Sequence, residues 1–378
     1  MKMKTSRIIA TIAASFFIGS TLHAQAWKAK AISDMKKGDF AKVEQTISKL
    51  SQEEQNKHAW LIDSLQAMMS RIRDDFRLSR EEGKKLLLEK VPGATDKQIE
   101  AWKQKKYLET RMIDGEERWF RKTISNFALL NKDVYPAEIV QGKKKEYAKV
   151  HPMCEHILTQ KLEENNTCDW KKVNATFYIE VPADAVPAGE TIKAWLPYPF
   201  DNGRQRNFQL LSSSSQATHS SGSLHHTVYM EQKAVKGQPT RFEMKFSYEV
   251  GAQVFHQADI LKNLKSYDKQ SDLYKKFTAQ ELPHMLVNKQ MKTLAQKIVG
   301  TETNPVLQAS MIYDWISANY PWAGAIDYST IPCIPQYVLD INHGDCGQVT
   351  LLYISMLRSL GIPARGESGW VFDESGWT

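Results

Sequence analysis

Hydrophobic and polar positions change their repeat several times along the chain. From residue 27 to about 150 the apolar residues recur at helical spacing. Leu61, Leu65, Met68, Met69 and Ile72 mark one face, and Ile32, Met35 and Phe40 flank a break at Gly38-Asp39. Ala94-Thr95-Asp96 reads as a helix start ahead of Ile99, Trp102 and Tyr107. Asp114-Gly115, inside Thr110 to Arg118, supplies the positive φ of a tight hairpin, and a helix is expected around Ile124 to Leu130.

From 171 to about 255 the period falls to two. Phe177, Ile179 and Val181 alternate with polar neighbours. So do Phe242, Met244, Phe246, Tyr248 and Val250, and Ile192 to Leu196 closed by Pro197 and Pro199 adds a strand. Asp201-Asn202-Gly203 and Ser212 to Gly222 are turn-rich separators, so this stretch predicts a small antiparallel β module of sandwich type. His219, His225 and His226 fall in its loops with no carboxylate or cysteine at metal-ligand spacing. From about Leu282 helical spacing returns. Asn304-Pro305 forms a cap with proline at the first helical position, and Val306, Leu307, Ile312, Tyr313, Trp315 and Ile316 make a stripe expected to be buried. The fold class is therefore α+β and multidomain: a helical region (27–150), a linker (151–170), a β module (171–260) and a further mixed region (270–378).

The first residues change the picture of where the chain works. Lys2, Lys4 and Arg7 precede an apolar run from Ile8 to Leu22, and Ala24-Gln25-Ala26 supplies a small-x-small cleavage pattern. The run is shorter than the roughly 20 residues of a membrane span. Residues 1–26 thus predict a secretory signal and a periplasmic or secreted mature chain with no stable membrane span. Removing three basic residues takes the formal net charge from +7 to +4, a mild bias. The lysine cluster 143–149 reads as a solvated helix face, and export argues against nucleic acid as a partner. For the same reason helices plus a hairpin in 27–150 are read as a packing or partner-binding region, not a DNA-reading winged helix. An oxidising compartment allows a disulfide between Cys154 and Cys168. A zinc set of His151, Cys154, His156 and Cys168 matches no standard finger spacing, so no metal is expected. No nucleotide, flavin or haem motif is present, and no cofactor is implied.

The chemistry concentrates in the segment from His343 to Arg365. Asp345 suits an N-cap, which puts Cys346 at the first helical position. Val349, Leu352, Met356, Leu357 and Leu360 give the helix a buried face, Gly361 ends it, and Pro363 prevents continuation. A thiol at a helix N-terminus faces unpaired N–H groups that favour thiolate over thiol and that can stabilise an oxyanion on a neighbouring acyl carbon.

Gly344-Asp345-Cys346-Gly347, a helix, and Leu360-Gly361-Ile362-Pro363-Ala364-Arg365 together resemble the nucleophile segment of the transglutaminase-like superfamily, whose core is papain-like. Ile312 to Ile316 with Tyr320 resembles the helix before that nucleophile, and Gln336-Tyr337-Val338-Leu339 the short helix leading into the cysteine loop. Trp195-Leu196-Pro197-Tyr198-Pro199 is similar to the β domain often placed ahead of this core. The resemblance implies Cys346 as nucleophile, with a histidine as its base and an aspartate orienting that histidine, both on strands after the nucleophile helix. Those two are not found: the last histidine is His343, on the same loop as the cysteine, and Asp373 reads as a turn residue. The core is therefore expected to be incomplete, from a chain truncated at its C-terminus or from a non-catalytic member. Trp322 and Gln348 are the oxyanion candidates, and Arg365 is expected to hold the start of a strand at 366–372. The implied function is acyl transfer or amide hydrolysis on peptides or proteins, cell-wall peptide among them. The alternative is a binding or assembly protein that keeps the fold without turnover.

Overall fold

A computed structural model describes residues 26–132, 152, 154–220, 226–282 and 285–369. The signal segment lies outside the described residues except for Ala26. The chain divides into two compact units, one made of residues up to 139 and from 266 onward, the other of Val140–Lys265.

The first unit joins stretches that the sequence pattern kept apart. Phe40, Val43, Ile62, Leu65, Met69, Ile72 and Phe120 share one hydrophobic core with Met291, Ile312, Ile316, Val338, Leu352 and Met356. The expected separation of 27–150 from 270–378 is corrected accordingly. An amphipathic helix must bury its apolar stripe against something, and here each half supplies the other's cover. Local signals set the individual elements. Thr95 caps Asp96–Gln104 in a capping box with Gln98, and Ser79 does the same for Arg80–Lys90 with Glu82. Asp114 and Gly115 take φ of 50° and 86° between the strands Thr110–Ile113 and Glu116–Trp119, as the hairpin requires. Leu78–Ser79 adds a third strand against Trp119 and Arg118 that no periodicity announces.

Pro305–Asn319 begins at Asn304, whose side chain accepts from Val306 N–H at 3.0 Å and Leu307 N–H at 3.4 Å. Ile312 and Ile316 are buried as expected, but Tyr313 is exposed and meets Tyr353 edge-on, because it lies a quarter turn from the buried pair. No helix among the described residues is long and apolar enough to cross a membrane.

The second unit is a sandwich of two three-stranded antiparallel sheets. Thr240–Gln253 is central in one, flanked by Thr167–Val181 and Gln205–Ser213. Thr227–Lys233 is central in the other, flanked by Thr191–Pro197 and Ala217–Ser220. Phe177, Phe242, Met244 and Phe246 from the first sheet meet Ala194, Leu196, Val228 and Met230 from the second. The segment Ser212 to Gly222, expected as turn, contains strand. The expected linker 151–170 contains helix at 154–159 and the first residues of Thr167–Val181. Ile179 is exposed although its alternation predicts burial, because the core contacts of its strand stop at Phe177.

The expected disulfide is also corrected: Cys154 and Cys168 are both free thiols. Cys154 is exposed on its helix. Cys168 is buried at the start of the long strand, with its Sγ 3.8 Å from the Ile157 carbonyl oxygen.

Candidate active site

Asp345 starts the helix Cys346–Ser359 from an extended conformation. Its carboxylate accepts from Gln348 N–H at 3.0 Å, while Gln348 Oε1 accepts from Asp345 N–H at 3.3 Å. This reciprocal capping box fixes the first helical turn, and with it the position of Cys346, which is exposed at the tip. The helix is anchored below by Leu352, Met356 and Leu357, and it ends at Leu360 before Gly361 at φ 77°. Arg358, buried, donates to the carbonyl oxygens of Ala364 and Ala279 and to Glu281, at 2.9, 2.7 and 2.7 Å.

Two walls stand beside the thiol. Tyr328 donates its hydroxyl to Asp345 Oδ1, and burial together with that carboxylate pushes the phenol above its ordinary range. Its ring also covers Gly347. On another side residues 321–324 run along the cysteine loop. Ala323 N–H donates to Gly344 O at 3.1 Å, Gly344 N–H to Pro321 O at 3.3 Å, and Trp322 bridges Gly344 in parallel sense. Trp322 is 56 % exposed there.

A cavity of about 300 Å³ opens beside the N-cap, bordered by Arg71, Asp75, Arg121, Asp327, Tyr328 and Asp345. Asp75 is buried in its wall. It accepts from Asp327 N–H at 2.6 Å and from Arg121 Nε at 3.1 Å, tying the helix Ala59–Asp75 to the loop that carries Tyr328. Arg71 reaches Ser329 Oγ at 2.6 Å.

The sequence-derived candidates fare differently. Cys346 occupies the first helical position at the surface. Gln348 is buried at 1 % exposure, and its Oε1 is engaged by the Asp345 N–H in the capping box. Its Nε2 meets no acceptor among the described residues. Trp322 lies beside the cysteine loop.

His343 is buried just ahead of the cysteine. It is 4 % exposed and hydrogen-bonded to the Ile341 carbonyl, and desolvation lowers its pKa to about 4. Arg365 pairs with Glu367 at 2.8 Å. The expected strand is absent from 366–369, where the chain has no described strand beside it, and the rest of 366–372 lies outside the described residues. Asp373 does too. Asp75, Tyr328 and Asn126, which shape the site, were not singled out from sequence. Their partners are distant along the chain, so no local pattern marks them.

With that geometry in view, residues 292–377 match the family model of the transglutaminase-like superfamily. The likeness to that family covers those residues, under a quarter of the chain. The match takes in the helix Pro305–Asn319, the 321–324 segment and Cys346 with its helix. A Haemophilus influenzae protein described only as uncharacterized is 28 % identical over 111 residues, or 27 % of this chain and 29 % of that protein. The matched stretch thus spans under a third of that relative. Among solved structures, a candidate cysteine protease from Cytophaga hutchinsonii aligns over 52 % of this chain and 66 % of its own, at 18 % identity and a TM-score of 0.38. A candidate protease from Parabacteroides distasonis aligns over 46 % and 32 %, at 15 % identity and a TM-score of 0.22.

Proposed function

We propose that this is an exported protein whose Cys346 performs acyl chemistry on amides of peptides or proteins. The observation that carries the reading is the exposed thiol at the first position of a helix, fixed by the Asp345–Gln348 capping box inside the segment that matches the transglutaminase-like model. Backbone N–H groups in the first turn of a helix have no intrahelical acceptor; Gln348 N–H is taken by the Asp345 carboxylate, which leaves those of Cys346 and Gly347 for an oxyanion formed beside the thiol. The Trp322 indole is the side-chain candidate for the same task.

The sulfur adds to the amide carbon, the C–N bond breaks, and the amine leaves carrying the thiol proton. The resulting thioester passes its acyl group to water, giving an acid, or to a second amine, giving a new amide. Cell-wall peptides are among the substrates an exported enzyme of this kind would meet. Export itself rests on Lys2, Lys4, Arg7, the apolar run and Ala24-Gln25-Ala26. N-terminal sequencing of the mature protein should find Trp27 or a residue within a few positions of it.

The activity is tested by offering the full-length protein a glutamine-containing peptide with and without a fluorescent primary amine. Hydrolysed or amine-labelled peptide, lost in Cys346→Ser, supports the proposal, and equal product from Cys346→Ser rejects it. The buried state of His343 favours a second reading, a binding or assembly protein that keeps the fold without turnover. Peptide retained by Cys346→Ser and wild type alike, with no product from either, would select it.

A further inference from the structure

We propose that Asn126, on the helix Thr123–Leu130 and far outside the segment that matches the family, is a positioning residue for the Cys346 loop. Asn126 is 4 % exposed and occupies a place between core residues Thr123, Phe127 and Leu130 where an apolar side chain would ordinarily sit. An amide buried there is costly unless both of its ends are paired.

Both are. Nδ2 donates to Gly324 O at 2.8 Å and Oδ1 accepts from Gly324 N–H at 2.8 Å, so the side chain pairs with the backbone as a neighbouring strand would. The pairing needs a close approach. A β-carbon at Gly324 would lie 3.3 Å from Asn126 Oδ1 and 3.0 Å from Lys122 Cδ. The next residue back, Ala323, donates to Gly344 O, and Gly344 donates to Pro321 O. Gly344 is two residues ahead of Cys346. Two sets of hydrogen bonds joined by the Ala323–Gly324 peptide link therefore connect Asn126 to the backbone that sets the cysteine. Asp75, accepting from Asp327 N–H, holds the same loop at a second point. Asn126 thus fixes where the 321–324 wall stands relative to the thiol without touching substrate.

This role rests on Cys346 being the reacting thiol, but its test requires no turnover. The full chain is treated with iodoacetamide as wild type, Asn126→Ala and Asn126→Asp, and alkylation at Cys346 is measured by peptide mass spectrometry relative to exposed Cys154 in the other unit. Backbone hydrogen exchange is followed over 321–325, over 343–346 and over the control helix Pro305–Asn319. Asn126→Asp keeps the acceptor for Gly324 N–H but faces the Gly324 carbonyl with a second oxygen, so it should act in the same direction as alanine. Loss of the paired amide should raise exchange at 321–325 and 343–346 about tenfold and shift the Cys346-to-Cys154 rate ratio at least about threefold, with the control helix unchanged. A ratio that does not move in either variant overturns the proposal. So does exchange that rises equally in the control helix, or unfolding of both variants, because each assigns Asn126 to general stability. Amide turnover could be absent in every variant without altering these readouts, so failure of the functional reading is distinguishable.

Discussion

The hydroxyl of Tyr328 occupies the space that a β-carbon on Gly347 would need, and the Cε2 and Cζ atoms of the same ring would lie 3.2 Å from it. Gly347 is thus required by a neighbour, not by its own backbone angle. Gly347→Ala should push Tyr328 off Asp345 and cost about 1–3 kcal/mol, the usual penalty for overpacking. Adding Tyr328→Phe removes the overlapping oxygen and should recover part of that loss. Denaturant melts of the two variants check this, and an unperturbed Gly347→Ala would show that the ring is not held there.

The N-cap gives a second expectation. Asp345→Ala removes the acceptor for Gln348 N–H and leaves the Tyr328 hydroxyl without its partner, for a loss of about 1–2 kcal/mol. Asp345→Asn keeps an acceptor for both and should lose less. The ordering of the two melting midpoints is the measurement.

Two buried groups should give opposing pH dependences. Glu109 accepts from the Tyr337 hydroxyl, and burial raises its pKa to about 7, with Asp75 adding to the rise and Arg111 and Lys106 opposing it. Between its ordinary value near 4.5 and about 7 the folded state holds a proton that the unfolded state has released, so this group makes stability fall as pH rises. His343 runs the other way. Its folded pKa of about 4 lies below the ordinary 6.5, so it makes stability rise with pH across that window. Each contribution is on the order of 3 kcal/mol or less. Their slopes should largely cancel in the wild type between about pH 4.5 and 6.5. Glu109→Gln should leave a profile steeper upward than wild type, and His343→Gln one tilted downward. Unfolding free energies of the three proteins across pH 4 to 7.5 decide it, and parallel profiles would refute the assignment.

Thiol accessibility makes a fourth expectation. Cys154 and Cys346 are exposed, Cys333 is partly covered and Cys168 is buried. Native titration with a thiol reagent should release two fast thiols and one slower, with the last appearing only in denaturant. A linked Cys154–Cys168 peptide in a non-reducing digest would contradict the free state seen in the structure.

The elements near the thiol were legible in sequence because their determinants are local. Asp345, Gly361 and Asn304-Pro305 each act within a few positions, and the structure has the helix ends that they predict. The Asp-x-x-Gln spacing of a capping box was also available and would have placed Gln348 inside, where it is. What escaped depends on distance along the chain. Nothing near Asn126 points to Gly324, and nothing near Glu109 points to Tyr337. The common core of the helices before 130 and those after 290 leaves the same amphipathic stripes that two independent domains would. For a related reason Tyr313 and Ile179 were misplaced: a stripe shows its direction but not its width.

The interrupted course of the first unit governs the order in which the molecule can be made. Its early helices leave the ribosome with half of their core missing, and the sandwich of Val140–Lys265 is synthesised before Met291, Ile312 and Leu352 arrive to complete it. At roughly 5–20 residues per second that interval is on the order of ten seconds. Throughout it the stripes of Ile62, Leu65 and Met69 face solvent or a chaperone. The sandwich has its own core and can close meanwhile, so the helix that carries Cys346 finds its place only after everything upstream of it has been made and has waited.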